Sequence, residues 1–99
     1  MTARSKRNVT EALAEELRSE SSRHNITQGM LARHLHRSAA YTSDRWHGRR
    51  SLTVEDLVTW TLLMDVTPVE ILEAALMHVG IIDKPTRTVT RREPEVGGS

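Results

Sequence analysis

Asn8, Thr27, Ser38, Thr53 and Thr67 each stand directly ahead of a short run in which apolar residues return every third or fourth position. Asn, Ser and Thr cap helix N-termini because their side-chain oxygens accept the unmet backbone N–H groups of the first turn. Spacings of three and four, with no alternation of two, mark amphipathic helices rather than strands. Five such signals in 99 residues leave room only for short helices. They constrain the chain to an all-α fold of five helices around one small core.

The first helix carries the stripe Val9, Leu13 and Leu17, with Asn8 and Glu11 placed as a capping box. It is expected to fray near the serines and His24–Asn25. A second helix follows Thr27 over 28–35, with Met30, Leu31, Ala32 and Leu35. After the tight connection His36-Arg37-Ser38, a third runs over 39–47 and stops at Gly48. Thr53 with Asp56 opens a fourth, bearing Leu57, Trp60, Thr61 and Met64. The clearest start is Thr67-Pro68-Val69-Glu70, a cap followed by proline at the first helical position. That fifth helix holds Ile71, Leu72, Ala75, Leu76 and Val79 before Gly80. Residues 8–82 are thus one domain, preceded by a basic arm (1–7). The segment 83–99, with two prolines, two glycines and few apolar residues, is expected to be a disordered tail.

Charge is segregated along this frame. Residues 23–50 contain Arg23, Arg33, Arg37, Arg45, Arg49 and Arg50 against the single acid Asp44, whereas residues 51–83 contain six acids and no Lys or Arg. A positive middle beside acidic flanks has a polyanion as its natural partner, although charge alone does not separate this from a solvated surface.

Two short helices joined by a tight turn form a helix-turn-helix, whose second helix enters the DNA major groove. The segments 28–35 and 39–47 fit. Thr42 and Trp46, at i and i+4, face the core with Leu31 and Leu35, which leaves Ala39, Ala40, Tyr41, Ser43, Asp44 and His47 outward. Small residues let the backbone approach base edges, an alanine can pack on a thymine methyl, and Tyr41 and Ser43 can hydrogen-bond. The arginines surround this patch, where phosphates would lie. Arg49 and Arg50, just past the helix stop, are read as phosphate contacts. Arg37 is either a phosphate contact or a solvated turn residue. For Arg45, base contact, phosphate contact and pairing with Asp44 or Glu55 stay open. Tyr41 either touches DNA or seals the helix pair. Trp46 and Trp60 are read as core.

In this arrangement the chain resembles the Cro/phage-repressor (XRE-type) helix-turn-helix family, from about Val9 to Leu72. The segment Thr27-Gln28-x-x-Leu31-Ala32-x-x-Leu35 is similar to that family's second helix, Ser38 to Gly48 to its recognition helix and closing glycine. Thr53-x-Glu55-x-Leu57 and Val66-Thr67-Pro68-x-Glu70-Ile71-Leu72 are similar to its later helices. The resemblance implies a five-helix, lambda-repressor-like DNA-binding domain, usually dimeric. Gln28 matches a backbone-contacting glutamine, with Ser38 beside it at the cap of the recognition helix. Ala39, Ala40, Ser43 and Asp44 match base-facing positions, and His47, Arg49 and Arg50 lie near phosphates. Arg37 departs from an apolar turn residue and His36 from a turn glycine, so that turn is expected to differ. Ala39 and Ala40 replace longer polar side chains, which shifts specificity toward Tyr41, Ser43, Arg45 and DNA shape.

The fifth helix is apolar on more than one side. Leu62, Val69, Leu72, Leu76, Val79, Ile81 and Ile82 are read as the interface of a twofold homodimer. Such a dimer would set two recognition helices about 34 Å apart on a near-palindromic operator. The alternative is that residues 76–82 fold back on their own core.

Other chemistries have little support. His34, His36 and His47 lack a further well-placed ligand, and there is no cysteine, so no metal or other cofactor is expected. No spacing orients a nucleophile with a base, so the chain is not read as an enzyme. No segment has the length of a membrane span and no small-molecule ligand is implied. The expectation is a cytoplasmic, phage-type transcriptional repressor acting on double-stranded DNA in a bacterial cell or phage-infected host. The rival is an antitoxin-like or adaptor module that holds a protein partner on its fifth helix.

Overall fold

All five expected caps form. In the computed structural model, which describes residues 8–85, the side chains of Asn8, Thr27, Ser38, Thr53 and Thr67 accept the backbone N–H groups of Glu11, Met30, Tyr41, Asp56 and Glu70 at 2.8–3.2 Å. They open α1 (Val9–Arg23), α2 (Gln28–Leu35), α3 (Ala39–Trp46), α4 (Val54–Leu63) and α5 (Pro68–His78). The arm 1–7 and the tail from residue 86 lie outside the described residues. None of the described helices is long and apolar enough to cross a membrane.

The ends are as regular as the starts. Asn25, His36, Gly48, Asp65 and Gly80 all take left-handed backbone, with φ between 56 and 79°. The N–H of the residue after each turns back to the carbonyl five positions earlier: Ile26 to Ser21, Arg37 to Ala32, Arg49 to Asp44, Val66 to Thr61 and Ile81 to Leu76, at 2.8–3.2 Å. This is the Schellman stop, which satisfies carbonyls the helix leaves open. His36, expected to redirect its turn because it is not glycine, instead adopts the left-handed conformation (φ 58°, ψ 45°) that glycine would supply. Its exposed ring leaves only a conformational cost.

The core gathers Leu17 of α1, Leu31 of α2, Trp60 and Met64 at the end of α4, and Ile71 of α5. Trp46 stacks on Trp60, ring centroids 5.3 Å apart. The chain has no phenylalanine, so this pair supplies most of the aromatic bulk. The buried indole N–H of Trp60 donates to Ser21 Oγ at 2.8 Å, and that hydroxyl donates to Met64 Sδ at 3.3 Å. α1 therefore does not fray at its serines. It runs to Arg23, because Ser21 is fully buried and meets the polar atom that Trp60 brings into the core.

α1 packs most extensively on α5 and also receives the end of α3. Gly48 (φ +75°) makes the second contact possible. A Cβ there would lie 3.2 Å from Ala14 Cβ and 3.3 Å from Glu11 Cα, so the position demands glycine for space as well as for its dihedral.

Candidate nucleic-acid interface

α2 and α3 meet through three residues, and the exposed surface around that corner is strongly basic. Arg33, His34, His36, Arg37, His47, Arg49 and Arg50 are all exposed. Ala39 and Ala40, the first two residues of α3, are short and exposed, and Thr42 turns inward and is fully buried. Gln28 is the half-buried first residue of α2. Ser38 is exposed, its hydroxyl committed to the cap and its carbonyl accepting the Thr42 hydroxyl at 2.9 Å.

The second turn of α3 is tied to the loop behind it. Arg49 Nε donates to Asp44 Oδ1 and Arg49 Nη2 to Ser43 Oγ, both at 3.1 Å. The Asp44 carbonyl accepts the N–H groups of Arg49 and Arg50. Ser43 and Asp44, expected to face bases, and Arg49, expected to hold a phosphate, thus form one network, in which Asp44 offsets the Arg49 charge. His47 caps α3, with Nδ1 3.0 Å from the Ser43 carbonyl. Among the described residues no group of three His, Asp or Glu side chains is placed to hold a metal ion.

Tyr41 sits differently from the outward position assigned by its spacing. Its hydroxyl donates to Asp56 Oδ2 at 2.5 Å, an almost buried carboxylate in the first turn of α4. Two guanidinium groups lie over its ring, Arg37 at 4.5 Å and Arg45 at 3.6 Å from the centroid. The hydrogen bond to Asp56, with burial and the nearby negative charge, raises the Tyr41 hydroxyl above the usual tyrosine value, and the two arginines oppose this. Arg45 also donates to the Tyr41 carbonyl, while its Nε is buried without a hydrogen-bond partner. For Arg45, stacking on Tyr41 takes the place of the ion pairs left open by the sequence.

Two positioning contacts were not foreseen. Arg18 of α1 donates from Nη1 to the Trp46 carbonyl at 2.7 Å, placing a cation at the C-terminal end of α3 where the helix dipole favours one. Its signal was its isolation, as the lone cation among Glu11, Glu15, Glu16 and Glu20. Asp56 was read only as a cap partner, and nothing in its spacing pointed to Tyr41.

Among the apolar residues of α4, α5 and the segment that follows, Leu62, Val69, Leu72 and Ile81 are exposed, whereas Leu76, Val79 and Ile82 are half-buried. Both Ile81 and Ile82 donate to the Leu76 carbonyl, so the chain curls over the end of α5 and still leaves Ile81 60% exposed. Val54 and Val58 extend the surface along α4. With Leu62 they make an exposed i, i+4, i+8 stripe that the sequence reading passed over. No protein-family model, curated protein or solved structure matches this chain.

Proposed function

We propose that this protein is a sequence-specific DNA-binding transcriptional regulator of the lambda-repressor-like helix-turn-helix kind, with α3 entering the major groove. One observation carries the reading. The first turn of α3 exposes Ala39 and Ala40, and exposed Arg37, Arg49 and Arg50 stand at its two ends. Two short, exposed residues at the start of the helix let its backbone come close to base edges, and cations at that radius meet phosphates. The same geometry redistributes the roles. Ala39 and Ala40 are the base-facing pair. Ser43 and Asp44 reach bases only by exchanging their contacts with Arg49.

Repression by occupying promoter DNA requires a stable footprint. The apolar surface of α4 and α5 supplies it as a homodimer contact on a near-palindromic site. The test is selection of duplexes from a random pool, followed by titration at several salt concentrations. A near-palindromic winner is expected, with log affinity falling against log salt by about 0.9 for each phosphate contact. Weak binding that is indifferent to sequence would overturn the reading.

The exposed stripe Val54, Val58 and Leu62 with Val69 and Ile81 also favours a second reading, an adaptor or antitoxin-like module that holds a protein partner. Changing Arg49 and Arg50 to glutamate separates the two. DNA regulation loses its function, whereas an adaptor keeps its own.

A further inference from the structure

Tyr41 has the side chain best suited to read a base on α3, yet both its polar atom and its ring are engaged. The hydroxyl is given to Asp56 of α4. The ring carries Arg37, four residues before it, and Arg45, four residues after it. Arg45 stands one helical turn further along α3 and Arg37 in the turn that precedes the Ser38 cap, so the one ring gathers cations from the helix and from the corner. We propose that Tyr41 is a positioning residue, whose ring holds Arg37 and Arg45 as a preformed pair of grips for backbone phosphates of the duplex. This rests on the DNA-binding reading above.

Three observations support it. A free arginine gives up its rotamer freedom when it grips a phosphate, whereas a stacked arginine has already given it up, so binding costs less. Stacking occupies only the face of the guanidinium plane, so in-plane donors remain for phosphate oxygens. Arg45 already gives Nη1 to the Tyr41 carbonyl and has its Nε buried, which leaves Nη2 as its phosphate donor. The pair is also fixed relative to the fold, because the Tyr41 hydroxyl is bonded to an almost buried carboxylate in another helix. For Tyr41 to reach a base, it would have to leave Asp56 without that donor and release both arginines together.

The experiment uses the full chain with two 20-base-pair duplexes, the best sequence from the selection and a scrambled duplex of equal composition. Affinity is measured at several salt concentrations for the wild type, Tyr41→Phe, Tyr41→Leu and Arg37→Gln/Arg45→Gln. The Arg Nε–H signals of the wild type are followed by NMR as duplex is added. Ring-shifted signals from Arg37 and Arg45 are expected in the free protein, and both should move on binding. Tyr41→Leu should weaken both duplexes alike, by about tenfold, and lower the salt slope toward that of the double glutamine variant. Tyr41→Phe keeps the ring and should retain most of the affinity.

Three results would overturn the proposal. A change of preference at one base pair in Tyr41→Leu would make Tyr41 a base reader. An unchanged salt slope in Arg37→Gln/Arg45→Gln would remove the grips. Arginine signals that stay put while the wild type binds would do the same without any variant, even if Tyr41→Leu fails to fold. If the wild type binds neither duplex, the DNA-binding reading falls first and takes this proposal with it, an outcome distinct from the other three.

Discussion

Three corners of this molecule are built on one plan. Asn25-Ile26-Thr27, His36-Arg37-Ser38 and Asp65-Val66-Thr67 each place a left-handed residue, a residue that closes the stop, and the cap of the next helix. Two of them put an apolar side chain in the middle. Ile26 and Val66 pack against the core, where a Schellman stop usually seats a hydrophobic contact. At the α2–α3 corner the middle residue is Arg37, exposed and lying over Tyr41. The backbone is the same and the use of the side chain is not. One corner gives up a packing contact for a positive charge, and it is the corner that the proposed function puts against DNA. Local rules tend to fail at functional sites, and here the failure is a single side chain.

The largest expected effect lies at a left-handed residue that is also pressed against another helix. Gly48→Ala should cost about 2–3 kcal/mol, from its positive φ and from crowding Ala14 and Glu11. Gly80→Ala has a similar φ and nothing within 4 Å, and should cost only about 1 kcal/mol. Urea melts of the two variants give the difference, which measures how tightly the end of α3 is docked on α1. Equal losses would show that the dihedral alone sets the requirement.

Exchanging the corners tests the comparison itself. Val66→Arg removes a half-buried side chain from the core edge and should cost about 2 kcal/mol. Arg37→Val should do the reverse, gaining up to about 1 kcal/mol in thermal or urea unfolding while weakening duplex binding. If Arg37→Val destabilises the protein, Arg37 supports the fold through Tyr41, and the trade of stability for charge is wrong.

What the sequence disclosed follows from how local each signal is. The starts were legible because capping needs Asn, Ser or Thr at one position, and all five were found. Only the stops made by glycine were legible. Asn25, His36 and Asp65 carry the same backbone with side chains that do not announce it. The fraying expected near the serines fails at Ser21, because a serine near a helix end resembles a fraying signal while the donor that satisfies this one, Trp60, is 39 positions away. The candidate site divides in the same way. The basic ring and the two short residues that open α3 lie within one stretch of chain and were read directly. The bonds from Tyr41 to Asp56 and from Arg18 to Trp46 cross between helices, so only the fold reveals them.

A smaller effect is expected at His36. An ordinary side chain in left-handed backbone carries a conformational cost that glycine avoids, partly offset by glycine's greater freedom when unfolded. His36→Gly should therefore raise stability by about 0.5 kcal/mol, whereas Asn25→Gly should change little, because asparagine tolerates this region. Thermal melts of both variants decide it. Stabilisation at position 25 but not at 36 would mean that the His36 side chain contributes a contact of its own.

The subtlest expected effect is alkaline, and its sign follows from Tyr41. Its folded-state pKa is raised, chiefly by the hydrogen bond to Asp56 and then by burial and the carboxylate charge. A raised pKa means that the folded state holds the proton more tightly than the unfolded chain does. The Tyr41 contribution is therefore fully present below the unfolded tyrosine value near pH 10. It is lost as pH climbs through the higher folded value. A tyrosinate there would also face Asp56, replacing a donated hydrogen bond with two like charges. Urea unfolding between pH 9 and 11 should show the wild type losing stability more steeply than Tyr41→Phe, which has no proton to lose. Tyr41 is the only tyrosine in the chain, so its absorbance change reports the same titration directly. Parallel curves for the two proteins would mean that the bond to Asp56 contributes nothing to folding, and the anchor assigned to the α2–α3 corner would lose its energetic basis.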